Sequence, residues 1–271
     1  MSYRMIAFDM DGTLLDSKKN ISPATREAIK YAASCGKTVA LSTGRCLAEL
    51  KEYTDALEGV RFLSCVSGGY VYDLENKKYI CFEPMPDSTV KSILDISKQE
   101  DCMVQLMNDK SIVSADDVEN MHRYGMGLYR DMFRRVTYMV DDVRRYFAEE
   151  KPVVVKMCIY HTDPECRERT IARLEKLDIE VMRSETTSAE CSNRGITKGK
   201  GLKALCEHLG IPAGEVIAVG DADNDAEALK TAGLSIAMGN AKAAIKEMCD
   251  AVVSDNDHDG CAEAIYDYLM K

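Results

Sequence analysis

The sequence predicts an α/β fold: a parallel sheet covered on both faces by helices and interrupted by an inserted α+β module. Three observations carry this. Short, near-continuous apolar runs alternate with helical patterns at both ends of the chain, which is how strands buried on both faces read. Each run stops at a cluster of Asp, Ser, Thr or Gly. From about 84 to 187 that grammar gives way to longer segments and a hairpin-like pair.

Taken in order, Arg4-Met5-Ile6-Ala7-Phe8 is a strand ending at Asp9-Met10-Asp11-Gly12-Thr13. Ser22-Pro23 opens a helix with an N-cap residue and Pro at its first position, and Gly36 closes it. Thr38–Leu41 is a second buried strand, ending in Ser42-Thr43-Gly44-Arg45. A helix over 46–58 and a strand at 62–66 follow. In the middle come a helix at 87–99, strands at 102–107 and 111–114 around Asn108-Asp109-Lys110, further helices, a strand at 153–160, a helix at 164–177 and a strand at 179–183. The α/β pattern then resumes with a helix at 199–209, the strand Val216–Val219 ending at Gly220-Asp221, a helix at 224–232, a strand at 234–238 and a last helix near 260–270.

Composition narrows the function. The chain has 271 residues, 46% apolar and 30% charged, enough for a substantial core and unlike a disordered chain. Its formal net charge of -10 argues against a nucleic-acid wrapper, which needs a basic face. No apolar run exceeds four residues, so neither a membrane span nor a signal-peptide core is expected. Eleven scattered cysteines without a CxxC pair fit neither a zinc site nor a disulfide framework. They read as reduced thiols of a cytoplasmic protein.

Ligands of an open parallel sheet bind outside the carboxyl ends of its strands. Asp9 and Asp11, Ser42 and Thr43, and Asp221 and Asp225 can therefore converge although they are far apart in sequence. Asp9-x-Asp11 could supply a nucleophile and a general acid/base, or hold a metal; alone it also reads as an ordinary strand exit. Four carboxylates at one edge repel unless a cation neutralises them, and all-oxygen donors favour a hard ion such as Mg²⁺. Ser42-Thr43-Gly44 precedes a helix start and forms an anion seat. Arg45 could reach the substrate or lie solvated. Lys198 stands at a helix start, against the macrodipole; it reads as functional only in company with the other clusters. The arginines between 123 and 145 read as solvated helix faces paired with Asp131, Asp141 and Asp142. His258, between Asp257 and Asp259, reads as a turn and N-cap cluster.

The segments FDMDGTLLDS (8–17), LSTGR (41–45), GITKGKGL (195–202), GDADND (220–225) and AGLSIAMGNA (232–241) resemble the haloacid dehalogenase superfamily, specifically its Cof-type phosphohydrolases. The resemblance implies a Rossmann-like hydrolase core over 1–83 and 188–271 with an inserted α+β cap at 84–187. It implies a Mg²⁺-dependent phosphatase acting on a small phosphorylated metabolite such as a sugar phosphate, with no nucleic-acid or membrane partner. Asp9 would attack phosphorus; Asp11 would act as acid then base, kept protonated by its neighbours. Mg²⁺ would be held by Asp9, the Asp11 carbonyl and Asp221, with Asp225 in support. Met10, Thr43, Gly44, Lys198 and Asn224 would bind the phosphoryl oxygens. One departure is Ser67-Gly68-Gly69-Tyr70 where the family usually has Asn-Gly, read here with Gly68 in the place of the Asn. Two rivals share parts of this chemistry. A sugar phosphomutase shares its first half, and a receiver-like switch shares the Asp, Thr and Lys but lacks a cap-sized insertion.

Overall fold

The computed structural model describes residues 2–184 and 186–271, apart from the side chains of Thr54 and Asp55. Its strands in chain order are β1 (Met5–Phe8), β2 (Thr38–Ser42), β3 (Val60–Cys65), β4 (Tyr70–Asp73), β5 (Lys78–Phe82), β6 (Cys102–Met107), β7 (Ser111–Ser114), β8 (Tyr138–Val140), β9 (Lys156–His161), β10 (Ile179–Ser184), β11 (Ser188–Asn193), β12 (Val216–Gly220), β13 (Leu234–Ala237) and β14 (Ala251–Val252). The chain divides into two compact units. One comprises residues 1–44, 52–82 and 197–271; the other comprises 45–51 and 83–196.

The first unit is an eight-stranded sheet in the order β14-β13-β12-β1-β2-β3-β4-β5. β1 lies at its centre, parallel to β12 and β2, with Phe8 level with Val219 and Leu41. All four β1 side chains are buried, and each large apolar group so removed from water contributes about 1.5–3 kcal/mol. Ser22 caps the helix Pro23–Ser34 as expected, its hydroxyl accepting from Thr25 N at 3.1 Å. The parallel core is as expected over six strands, with one addition at its edge and one corrected helix. Beyond the parallel strands β4 and β5 add an antiparallel hairpin at the edge, because a turn of four residues is too short for the helical crossover that parallel pairing needs. Tyr70, Tyr72, Tyr79 and Phe82 pack across it at ring separations of 4.9–5.8 Å. The helix expected over 46–58 is a single α turn, Leu47–Leu50, followed by tighter 3₁₀ winding from Lys51 to Leu57.

The second unit is a six-stranded sheet in the order β10-β11-β9-β6-β7-β8, antiparallel except for β7 with β8. One face carries Val104, Leu106, Met157, Ile159 and Cys191 into a core with Leu94, Phe147 and Leu174. The opposite face carries polar groups, among them Gln105, Lys156, Tyr160 and Glu190. Its arginines pair as expected at Asp131, beside Arg134, and otherwise with other carboxylates. Arg123 pairs with Asp101, Arg134 with Glu119 and Arg145 with Glu149. Asp131 stands 3.7 Å from Arg134, and Asp142 instead caps the helix Val143–Glu150 through Arg145 N at 2.8 Å. An N-cap carboxylate satisfies an otherwise orphaned amide and is held there.

All eleven cysteines are free thiols. Among the described residues no helix is long and apolar enough to cross a membrane.

Candidate active site

The carboxyl edge of the first unit's sheet gathers groups from its three central turns. β1 ends at Asp9, whose amide still bonds Val219 O at 2.9 Å. β12 ends at Gly220, and the turn Asp221–Asp225 follows. Lys198 starts the helix Lys198–Leu209, which Thr197 caps through Lys200 N at 3.2 Å. The ammonium leaves that helix for two carboxylates: Nζ donates to Asp9 Oδ1 at 2.5 Å and to Asp225 Oδ1 at 2.6 Å, and Lys198 is only 1% exposed.

Asp225 Oδ2 accepts from the amides of Asp221 and Ala222, both at 3.0 Å. This closes the turn against Gly220, where a Cβ would lie 2.6 Å from that of Asp225. Asp221 Oδ1 accepts from Thr13 Oγ1 at 2.8 Å. Gly12, with φ +84, backs so closely onto Asp221 that a Cβ would sit 2.5 Å from Oδ2. Thr13 and Asn240, which donates to Gly12 O at 2.7 Å, are site residues the sequence reading passed over. Both lie inside matched motifs, but spacing alone does not say which atoms they reach.

The other predicted residues fall as follows. Thr43 is buried at the end of β2; its amide donates to Ser64 O at 2.8 Å and its carbonyl accepts from Ser67 N at 2.9 Å. Gly44 follows it, half-buried. Met10 is wholly buried, its carbonyl accepting from Leu15 N at 2.9 Å. Asn224 lies in the Asp221–Asp225 turn, its Oδ1 buried and without a partner. Arg45 belongs to the second unit. Asp11 is 39% exposed and accepts from Lys19 Nζ at 2.9 Å. Lys19 gave no sequence signal, being one of two lysines in a polar loop.

Gly68 is also corrected. Its φ is +92, and a Cβ would stand 2.1 Å from Thr197 O, so no side chain fits. Ser67, at φ 61 and ψ 33, occupies the left-handed region that Asn enters readily. Ser67 therefore stands in the place of the Asn, and the departure leaves a hydroxyl there. His258 pairs with Asp255 at 2.6 Å, Asp257 accepts from Ser17 N at 2.8 Å, and Asp259 accepts from Ser22 Oγ. The turn contacts are as expected; the helix cap is not, since Asp259 holds the N-cap position of the helix Gly260–Ala264 without a side-chain cap bond.

The electrostatics are unbalanced. Burial pushes the Asp9 carboxyl well above the usual range; Asp225 adds to this and Lys198 opposes it. Asp221 is raised for the same first reason, with Thr13 opposing and Asp225 adding. Lys198 stays charged although burial opposes it, because Asp225 and Asp9 hold the ammonium. Asp9, Asp221 and Asp225 each offer an oxygen within 4.8 Å of the others. At that separation each like-charged pair repels by about 3–4 kcal/mol at an effective dielectric of about 20. One lysine cannot neutralise three carboxylates. All-oxygen donors together with the orphaned Asn224 Oδ1 fit a hard divalent cation.

An open α/β sheet that gathers acidic groups and one buried lysine at its carboxyl edge, with an α+β unit inserted in its chain, defines a class of hydrolases acting on phosphoric monoesters. The chain belongs to the haloacid dehalogenase-like hydrolases, whose family model matches residues 6–265. It is 28% identical over 274 residues to the 5-amino-6-(5-phospho-D-ribitylamino)uracil phosphatase YcsE of Bacillus subtilis, covering 98% of this chain and 96% of that protein. It is likewise 28% identical over 277 residues to the pyridoxal phosphate phosphatase YbhA of Escherichia coli, covering both chains fully. The solved structure of a haloacid dehalogenase-like hydrolase from B. subtilis superposes with a TM-score of 0.85 at 25% identity, over 97% of this chain and 99% of that one.

Proposed function

We propose that the protein is a cytoplasmic, Mg²⁺-dependent phosphatase that hydrolyses phosphomonoesters of small metabolites, of the sugar phosphate kind, through an aspartyl-phosphate. The observation that carries this reading is the buried Lys198 bridging Asp9 and Asp225 with Asp221 beside them. Asp9 Oδ2 attacks phosphorus while Lys198 and Thr13 keep the surrounding carboxylates in place. The alcohol leaves with a proton from Asp11, once Lys19 releases that carboxyl and it takes up a proton. Asp11 then accepts a proton from the water that cleaves the acyl phosphate, so the two half-reactions share one acid/base. Thr43, Lys198, Asn224 and the amides of Met10 and Gly44 hold the phosphoryl oxygens, and Arg45 reaches the substrate. Asp9, Asp221, the Asp11 carbonyl and, in support, Asp225 would hold Mg²⁺, which neutralises charge on the phosphoryl oxygens.

The insertion, taken as 84–187, serves as the cap that reads the rest of the substrate, since in this fold specificity lies outside the reacting groups. The test is a panel of phosphorylated metabolites with Mg²⁺, followed by acid quench of a single turnover with labelled substrate. Label on the peptide containing Asp9 supports the reading. Steady turnover that never labels protein overturns the covalent route.

A further inference from the structure

The second unit treats the two faces of its sheet differently. On the polar face Glu49 Oε1 accepts from Gln105 Nε2 at 2.9 Å, and Gln105 Oε1 accepts from Tyr160 OH at 2.7 Å. The turn that carries Glu49 is tied in by its backbone as well, Ala48 N bonding Asp109 O at 2.9 Å. Helices cover the apolar face, among them Asp87–Ser97 and Val143–Glu150. Between these two lies a groove of about 420 Å³, a volume in the range of small-molecule sites.

The floor of the groove is apolar. Leu94 and Phe147, which also belong to the core under the helices, form it with Ala148. The rim is cationic: Lys91, Lys98, Arg144 and Lys151 stand against Asp87 and Asp95. Asp95 is taken by Lys98 at 2.9 Å. Lys91, Arg144 and Lys151 are left with Asp87 alone to balance them, in a chain whose net charge is -10. Among the described residues none of these three cations is ion-paired.

Two of the cations are held in ways that packing does not require. Arg144 Nη2 donates to Ser97 Oγ at 3.1 Å, which ties the guanidinium of one helix to the last residue of the other. Its Nε is buried without a partner, and such a donor is costly to leave unmade. Lys151 ends the helix Val143–Glu150 at φ 46 and ψ 54, in the left-handed region where glycine is the usual residue. Glycine would end the helix at less cost. Lysine adds a charge at the groove.

The complement of unpaired cations over an apolar floor is an acid group carried on an apolar body. We propose that the groove between these helices is a binding site for a small organic anion. Its apolar body rests on Leu94, Phe147 and Ala148, and its acid group lies among Lys91, Arg144 and Lys151. The site is wholly within the second unit and does not depend on the reaction proposed above.

The experiment titrates the full chain with α-naphthalenesulfonate, a fused ring with an acid group that a phosphatase does not cleave, by calorimetry. A single equivalent binds with a dissociation constant below about 0.3 mM. Methanesulfonate keeps the charge and α-naphthalenemethanol keeps the ring; each binds at least about tenfold more weakly. Lys151→Gly and Lys91→Gln each weaken binding about fivefold, and together about twentyfold, because independent contacts multiply. Lys151→Gly melts no lower than the parent, since glycine relieves the left-handed backbone, so its loss of binding is not a loss of fold. Lys77→Gly is the control. Lys77 is also left-handed, at φ 51, but belongs to the first unit, and its exchange leaves binding unchanged. Any of four results overturns the proposal. These are no saturable binding up to about 3 mM, undiminished binding in both Lys91→Gln and Lys151→Gly, an equal loss in Lys77→Gly, or methanesulfonate binding as tightly as the naphthalene compound.

Discussion

Each unit buries a lysine against carboxylates at its sheet, and the two clusters differ in balance. In the first, Lys198 faces Asp9 and Asp225, with Asp221 beside them, and both Asp9 and Asp221 are pushed toward protonation by burial. In the second, Lys156 bonds Glu190 at 2.5 Å, and Glu49 has the charges of both Arg45 and Lys156 acting on it. Two cations answer two carboxylates there. Burial opposes the charge of Lys156, yet Glu190 keeps its ammonium firmly protonated. The second cluster is complete as the chain makes it, whereas the first is short of positive charge. That difference, more than the number of acidic groups, separates a structural network from one built to receive a cation.

The comparison breaks most visibly at Asp9. Asp9→Asn should lower kcat by at least about a thousandfold, since the proposed nucleophile is lost, while the melting temperature holds or rises because one of three repelling carboxylates has gone. Steady-state kinetics beside calorimetry would show both halves. In the balanced cluster the effect should be the reverse. Lys156→Met strands Glu190, and removing one partner of a buried pair costs about 3–5 kcal/mol, read as a fall in the urea midpoint.

A smaller effect sharpens the contrast. Mg²⁺ at about a hundredfold its dissociation constant should stabilise the protein by about 2.7 kcal/mol, several degrees in a thermal scan, and EDTA should abolish the gain. Asp221→Ala should remove this response without lowering the melting temperature of the metal-free protein; Lys156→Met should leave the response intact. An undiminished response in Asp221→Ala would remove that residue from the cation site.

The mildest effect concerns a third ion cluster, at the surface of the second unit. Glu100 accepts from Arg169 at 2.7 Å and from Arg173 at 2.9 Å, and hydrogen bonds from these arginines hold its carboxyl down to about 2. Because its folded value lies below its ordinary one of 4.5, the ionised form stabilises the fold above pH 4.5. That contribution is lost as the pH falls through about 2. Glu100→Gln should cost about 1–2 kcal/mol at pH 7, allowing for the exposure of both arginines, and progressively less on acidification. Urea midpoints at pH 7 and pH 3 that differ from the parent by equal amounts would contradict this.

The groups that converge in the first unit were legible because each stands where an apolar strand stops, and parallel topology brings strand ends together. Asp9, Thr43 and Asp221 needed only that rule. The burial of Lys198 was not legible: at a helix start it looks like any surface lysine, and only its reach to Asp9 and Asp225 shows otherwise. β11 escaped for a related reason. Ser188, Glu190 and Ser192 give it a polar reading, yet they face Lys156 and its neighbours, not water. The assignment of 45–51 to the second unit depends on Glu49, Gln105 and Asp109, whose pairing has no local signature. The Lys19 that bonds Asp11 was not legible either, because it stands in a polar loop outside any strand end.

The path of the chain has a consequence for engineering. Because 45–51 belongs with 83–196, the polypeptide passes between the two units four times, at 44/45, 51/52, 82/83 and 196/197. A chimera that grafts the insertion of this protein onto a related scaffold at the two obvious junctions would leave Gln105 facing a foreign turn. Its buried amide would then lack the acceptor that Glu49 provides, at a cost of about 1–3 kcal/mol. A transplant that keeps its interior whole has to bring along those seven residues, and with them the stretch immediately after Thr43.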